Sequence, residues 1–255
     1  RGLGDVYKRQ PIMLPQQITL PIIGIVNSPL KQKFGTPRQP NLVDINATIS
    51  MLPPYNVLSA FEGIAQFSHL WIIWQFHQNR INPNPSNFQP TVRPPRLGGN
   101  QKIGVFASRS MYRPANIGLS VVKFSHIENS EAGLRLHIIG ADMVDGTPVI
   151  DIKPYLPYSD NIDDAVAGYA SQKPVIKSVH WHPDLLQDLS HIAVKSQLKQ
   201  TDWQTIEQLI AQDPRPAYRQ QALNTPFVMR YQNVDVHFSQ IADSVLQIQA
   251  IELLN

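Results

Sequence analysis

At 255 residues the chain can bury a sizeable core, either as one large domain or as a medium domain with a smaller one. Its 42% apolar and 16% charged residues describe a globular protein, and the lack of cysteine excludes disulfide frameworks, thiolate metal sites and cysteine nucleophiles together. A formal charge of +3 permits a polyanionic partner without demanding one. No run approaches the roughly 18 apolar residues of a transmembrane helix and no charged-then-apolar signal segment opens the chain, so the cytoplasm is the expected compartment.

The opening Arg1–Gln10 has no periodicity continuous with the β-branched pattern that begins at Ile18, and residues 1–16 are set aside as an extension. The run from Ile18 to Asn27 predicts a strand starting near Ile22, with Pro21 suggesting an edge position. Ser28 to Pro54 reads mostly as a long loop carrying Lys31, Lys33 and Arg38. Leu70–Phe76 is continuously apolar and too short for a typical helix, which predicts a strand buried on both faces with His77 at its rim. Asn79–Asn87 is a polar, proline-rich loop. Further strands are expected at Lys102–Ser108, Leu119–Ile127 and Leu134–Ala141, the last alternating cleanly at Leu134, Leu136 and Ile138. Short strands with frequent turns argue for a barrel or a rolled sheet.

After Tyr158 the character of the chain changes to an acidic loop, Ser159–Asp164, and then to a smaller unit. Leu185, Leu186, Leu189, Ile192 and Ala193 recur at helical spacing within Pro183–Leu198, and Trp203, Ile206, Leu209 and Ile210 repeat the pattern after Asp202, a candidate cap. Phe227–Phe238 and Leu246–Leu253 alternate as two closing strands. The expected architecture is mainly β: residues 17–160 form a barrel and 161–255 a small α+β unit.

The motifs that could carry chemistry lie on loops. Gly104–Ser108 begins as a strand and delivers Arg109 and Arg113 to an irregular turn at Arg113-Pro114. Asp145-Gly-Thr-Pro148 is either a binding loop or an ordinary hairpin turn. His180 and His182 flank Trp181 but show no third ligand, so no metal site is expected. No Gly-x-Gly-x-x-Gly follows a strand, and neither a nucleophile elbow nor His-Glu-x-x-His occurs, which removes the doubly wound nucleotide fold and weakens a hydrolase reading.

These stretches, with Pro37-Arg-Gln-Pro40, Phe67-Ser-His-Leu-Trp71, Phe76-His-Gln78, Arg93-Pro-Pro-Arg-Leu-Gly-Gly99 and Asp213-Pro-Arg-Pro-Ala-Tyr-Arg219, resemble the bacterial TrmO-like family. That family methylates N6-threonylcarbamoyladenosine in tRNA. The sequence departs from the family turn at Arg113-Pro-Ala-Asn-Ile-Gly118, where Arg-Pro-Asn-Pro-Ile-Gly is the familiar order. The resemblance implies a β-barrel that binds S-adenosylmethionine through loops at one mouth, using Pro37, Arg38, Gln39, His77, Gln78, Arg109, Leu119, Asp145, Gly146, Thr147 and Pro148. It implies tRNA as substrate, with Arg215, Tyr218 and Arg219 on the substrate side. Arg113 and Lys153 join them as cations suited to phosphates, alongside Lys31, Lys33, Arg93 and Arg96. The base that takes the N6 proton stays open among Asp142, Asp145, His77 and Tyr112. A homodimeric tRNA methyltransferase is the expected reading, and a non-catalytic RNA-binding barrel that holds an adenine nucleotide is the alternative.

Overall fold

The computed structural model describes residues 18–79 and 88–254; Arg1–Gln10 and most of the Asn79–Asn87 loop lie outside the described residues. In chain order the strands of the first region are β1 (Gly24–Asn27), β2 (Asn46–Met51), β3 (His69–Gln75), β4 (Thr91–Val92), β5 (Ile103–Gly104), β6 (Ile117–Ser130), β7 (Gly133–Ile139) and β8 (Pro148–Pro154). The short helix α1 (Pro157–Asp160) leads to β9 (Ser178–Trp181), α2 (Pro183–Ser196), α3 (Gln200–Ala211), β10 (Phe227–Tyr231), β11 (Val234–Ala242) and β12 (Val245–Leu253).

Six strands close into a barrel in the order β1-β2-β7-β6-β3-β8. Its interior is filled by the inward members of alternating strands, among them Ile49, Leu70, Ile72, Val122, Leu136, Ile138 and Val149, so the barrel is a packed core and not a pore. The interior is tight at one point: a Cβ on Gly118 would run into the Trp74 ring. The second sheet, β10-β11-β12-β9, is antiparallel except for the β12–β9 pair, and α2 and α3 cover it.

Several local expectations change. Pro21 does not mark an edge, because β1 pairs with both β2 and β8. The long loop after Asn27 ends at β2, where Ala47, Ile49 and Met51 face inward; its polar alternate residues hid a half-buried strand. β3 alternates in burial, with Leu70, Ile72 and Trp74 inside and Trp71 and Ile73 outside, so it is apolar on both faces but fully buried on one. Lys102–Ser108 is not a strand: two residues pair with β4, and Val105–Ala107 turn as a 3-10 helix. Asp202 is not the cap of α3 but lies in its first turn, where its carboxylate accepts the Lys199 N–H at 2.8 Å. Phe227–Phe238 is two strands, since Gln232 adopts φ of 47° between β10 and β11. His180 and Trp181 sit in β9, an element with no strong pattern of its own, and His182 caps α2 by accepting the Asp184 N–H.

The alternation of strand directions puts three connections at one barrel rim: Ser28 to Ile45, Phe76 to Asn116, and Gly140 to Thr147. The first of these loops also packs against the C-terminal region. Its Leu30, Val43 and Ile45 are buried in the same core as Trp203, Ile206, Met229 and Phe238 of the C-terminal region.

Candidate active site

The rim is assembled by contacts between the three loops. Asp145 ties the third to the first: its carboxylate accepts the Ser28 N–H at 2.9 Å and pairs with Lys31 at 2.8 Å. Lys33 ties the first to the second by donating to the Gln78 carbonyl and to Asn79 Oδ1, both at 2.9 Å. Asn79, buried, passes this on by donating to the Met111 carbonyl at 2.8 Å. Arg109 reaches back from the second loop and donates through Nη1 to Gln39 Oε1 at 2.6 Å. Lys31 and Lys33, read from the sequence as free cations, are therefore cross-loop ties.

The turn at Asp145 joins β7 to β8 at this rim. Gly146 has φ of 76°, which only glycine adopts without strain, and His77 Nε2 lies 3.8 Å from where a Cβ would stand. The Thr147 hydroxyl is buried and donates to the Val144 carbonyl at 2.7 Å, and Pro148 begins β8. The displaced asparagine of the Arg113 turn has a clear role: Asn116, at φ of 50°, closes the turn by donating its N–H to the Arg113 carbonyl, and its carbonyl accepts the Phe76 N–H. The Arg113 side chain donates to the Ser108 carbonyl at 2.6 Å and so braces this loop.

Below the rim lies a buried relay that sequence reading missed. Trp74 Nε1 donates to Ser120 Oγ at 2.9 Å, and Ser120 donates to Asp142 Oδ1 at 2.6 Å. The available signal was a serine on the inward face of an otherwise apolar strand, between Gly118 and Val122. Burial pushes the Asp142 carboxyl up to about 6, against the Ser120 hydrogen bond and the Arg109 charge. Burial, with a smaller contribution from the Lys33 charge, lowers the His77 imidazole below its usual value, so it is neutral at pH 7. Tyr112 is 67% exposed.

Gln39, His77, Gln78, Arg109, Asp145 and Gly146 thus meet at one rim. Pro37 is buried inside the first loop, while Arg38 is exposed; desolvation lowers its guanidinium below its usual value, opposed by the Asp213 charge and helped by that of Arg96. Leu119 stands beside the rim but points outward, on the face of β6 opposite Ser120. Lys153 lies near the far end of β8, away from the rim, and pairs with Asp151 at 3.8 Å.

Arg215 requires a correction. It is fully buried, held bidentately by Asp213 at 2.7 and 3.0 Å, with Gln240 and the Gln220 carbonyl also accepting from Nη2 and the Arg219 and Ala222 carbonyls accepting from Nη1. No phosphate can reach a guanidinium so enclosed. Lys177 adds a 2.9 Å contact to Asp213; burial alone would raise that carboxyl, yet the two cations hold it below its usual range. From the same motif, Tyr218 and Arg219 remain exposed, the guanidinium 5.9 Å from the ring centroid.

Other features lie elsewhere. A cleft of about 470 Å³ opens at the opposite rim, lined by Phe61, Phe67, Phe124 and Ile127 among others. Among the described residues no group of three or more His, Asp or Glu is placed to hold a metal ion, and no helix is long and apolar enough to cross a membrane.

The tRNA-methyltransferase O N-terminal domain matches residues 25–161, and the TrmO C-terminal domain matches residues 174–254. The chain belongs to the tRNA-methyltransferase O family. The tRNA (adenine(37)-N6)-methyltransferase of Escherichia coli K12 is 43% identical over 199 residues, spanning 77% of this chain and 82% of the relative. A putative S-adenosylmethionine-dependent methyltransferase of Pseudomonas aeruginosa is 42% identical over 85% of this chain and 90% of its own. The crystal structure of TrmO from P. aeruginosa superimposes with a TM-score of 0.72 at 32% identity, covering 92% of this chain and 98% of that one. The barrel with an appended α+β unit is thus the family's fold, as its motifs implied.

Proposed function

We propose that the chain is an S-adenosylmethionine-dependent tRNA methyltransferase acting on N6 of the adenosine at position 37, with the threonylcarbamoyl derivative of that base as acceptor. The observation that carries this reading is the convergence of Arg109, Gln39, His77 and the Asp145-Gly146 turn at one rim. This donor and acceptor set fits the cofactor. The exposed Arg109 guanidinium retains donors for a carboxylate, the amides of Gln39 and Gln78 can meet an ammonium, hydroxyls or the adenine edge, and Gly146 leaves its backbone open to close approach. When bound, S-adenosylmethionine supplies an electrophilic methyl group and a neutral leaving group.

The protein's part is alignment and proton removal. Asp142 is read as the base: with its carboxyl near 6 it is ionised at neutral pH yet basic enough to take the N6 proton, and Ser120 holds the carboxylate in place through Oδ1. Asp145 is committed to Lys31 and Ser28, which makes it a rim tie. Tyr112, Arg113 at its braced turn, Tyr218 and Arg219 are read on the tRNA side, where spaced cations meet phosphates and aromatic rings hold an unstacked base. Arg215 is withdrawn from that set.

A homodimer is part of the proposal, supported by the outward apolar residues Trp71, Ile73, Leu119 and Val121 of β3 and β6, of which Leu119 is 55% exposed. Light scattering should give twice the chain mass. The cytoplasm, where tRNA is modified, is the compartment of this reading.

The deciding experiment is methyl transfer from labelled S-adenosylmethionine to total tRNA from cells with and without the threonylcarbamoyl modification, followed by nucleoside mass analysis. Labelling confined to the modified pool is expected. Equal labelling of both pools would reject the threonylcarbamoyl substrate, and labelling of neither with the cofactor still bound would favour a non-catalytic RNA-binding barrel.

A further inference from the structure

The loop Ser28 to Ile45 belongs to the barrel by sequence and to the C-terminal sheet by packing. Phe34 stacks on Phe227 and Phe238, with ring centroids 6.2 and 6.3 Å away and planes within 20°. Gly35, at φ of 89°, lies against Met229 so closely that a Cβ would stand 2.5 Å from its Cγ and Sδ. Leu30 forms a β-bridge with Tyr231, and the Pro29 carbonyl accepts the Gln232 N–H at 2.8 Å. Farther on, Gln212 of the C-terminal region donates to the Leu42 carbonyl at 3.4 Å. These anchors are C-terminal, while Lys31, Lys33 and Gln39, interleaved between them, make the rim contacts to Asp145, Gln78 and Arg109, and Asn41 ties the far end of the loop to the barrel by donating to the Gly140 and Val121 carbonyls at 2.9 and 2.8 Å.

A loop of this length has many conformations when unanchored, and Gln39 would have to be recruited to Arg109 from among them at an entropic cost. We infer that the C-terminal sheet is a structural part of the cofactor site: strand β10 clamps the Ser28 to Ile45 loop through Phe34 and Gly35 and so presents Gln39, Lys31 and Lys33 to the rim. Phe34 is a positioning residue in this arrangement. Its partner Phe227 in turn has Arg215 5.8 Å from its ring centroid, so the buried Asp213–Arg215 pair supports the clamp from behind. The second domain thereby acts on the cofactor as well as on whatever RNA contacts it makes. This rests on the rim being the S-adenosylmethionine site.

The test is calorimetric titration of S-adenosylmethionine into four full-length variants. Arg109→Ala probes the site itself, Phe34→Ala removes the clamp, Phe34→Leu restores an apolar anchor, and Leu185→Ala opens the same C-terminal core on α2, away from the loop. Phe34→Ala should weaken cofactor binding about tenfold or more, since small displacements of positioning groups have effects of that order. It should raise KM for the cofactor more than it lowers kcat, and Phe34→Leu should recover most of the loss. Leu185→Ala should lower Tm with cofactor affinity intact. Unchanged affinity in Phe34→Ala, with Arg109→Ala weakened, would overturn the clamp and leave the site reading standing; unchanged affinity in Arg109→Ala would remove the site reading itself. Equal losses in Phe34→Ala and Leu185→Ala would mark general destabilisation and also overturn the clamp. Should Phe34→Ala fail to fold, hydrogen exchange on the wild-type protein decides: coupling is reciprocal, so saturating S-adenosylmethionine should slow exchange in Phe227–Tyr231, and no slowing there would refute the inference.

Discussion

Two arginine-proline motifs in this chain end in opposite situations. Arg109 and Arg113 sit on a rim loop where polar groups tie one loop to another and a guanidinium stays accessible, whereas Arg215 lies at 0% exposure with each donor matched inside the C-terminal region. What separates them is the carboxylate two residues before Arg215. Asp213, at φ of 47°, turns the backbone so that its oxygens meet the guanidinium in a fork, and the proline-stiffened turn then wraps carbonyls around the rest. The Arg109 segment has no such partner in its own sequence and finds Gln39, seventy positions away. An arginine with its counter-ion next door is a candidate for structure, and one without is a candidate for a ligand.

Arg215→Ala should have the largest effect. It leaves Asp213 with Lys177 alone in a buried setting, so stability should fall by about 3–5 kcal/mol, the range for stripping one partner from a buried ion pair. Denaturant unfolding measures it. A well-folded variant that loses only tRNA affinity would return Arg215 to the substrate side. Arg109→Ala should do the reverse, weakening S-adenosylmethionine binding by about 1.5–3 kcal/mol as a charge-assisted hydrogen bond is lost, with Tm nearly unchanged.

Asp142→Asn acts on the floor of the rim. The folded carboxyl titrates near 6 against 3.8 as its ordinary value, so the native state holds a proton that the unfolded chain releases between those pH values. Stability from this site therefore falls as pH rises from about 4 to about 6 and stays lower above. The asparagine variant should be more stable than wild type by roughly 3 kcal/mol at pH 7 to 8, with the gap closing below about pH 4. Methyl transfer should be lost at every pH. A variant that keeps activity would pass the role of base to His77, whose lowered pKa leaves its imidazole neutral.

The barrel was legible because its strands alternate: Leu134, Leu136 and Ile138 gave β7 directly. β2 was not legible, since Asn46, Thr48 and Ser50 gave it the polarity of a loop. Leu70–Phe76 misled in an instructive way, because periodicity reports apolar faces and not what covers them; Trp71 and Ile73 point out of the barrel. At the site, the rim residues were readable only through motif resemblance, since the loops that bring Gln39 to Arg109 have no period. The Trp74–Ser120–Asp142 relay depends on three strands or loops meeting in space, which spacing along the chain does not encode.

The smallest expected effect falls on the exposed half of the C-terminal motif, and it separates the two faces of that turn. Arg219 and Tyr218 project into solvent on the same 3-10 turn whose backbone carbonyls enclose Arg215. The Arg219 guanidinium has no carboxylate partner among the described residues and is 5.9 Å from the Tyr218 ring centroid, an arrangement that presents a cation and an aromatic face together. If this face meets tRNA, Arg219→Ala removes a single phosphate contact, so affinity should fall by less than about 1 kcal/mol at physiological salt and the slope of log K against log salt should lessen by about 1. Tm and S-adenosylmethionine affinity should not move, because the side chain has neither burial nor rim contacts to lose. Filter binding of tRNA across a salt series measures the slope. An unchanged slope, with Arg113→Ala alone reducing it, would confine RNA binding to the barrel rim and leave the C-terminal unit with its structural work only.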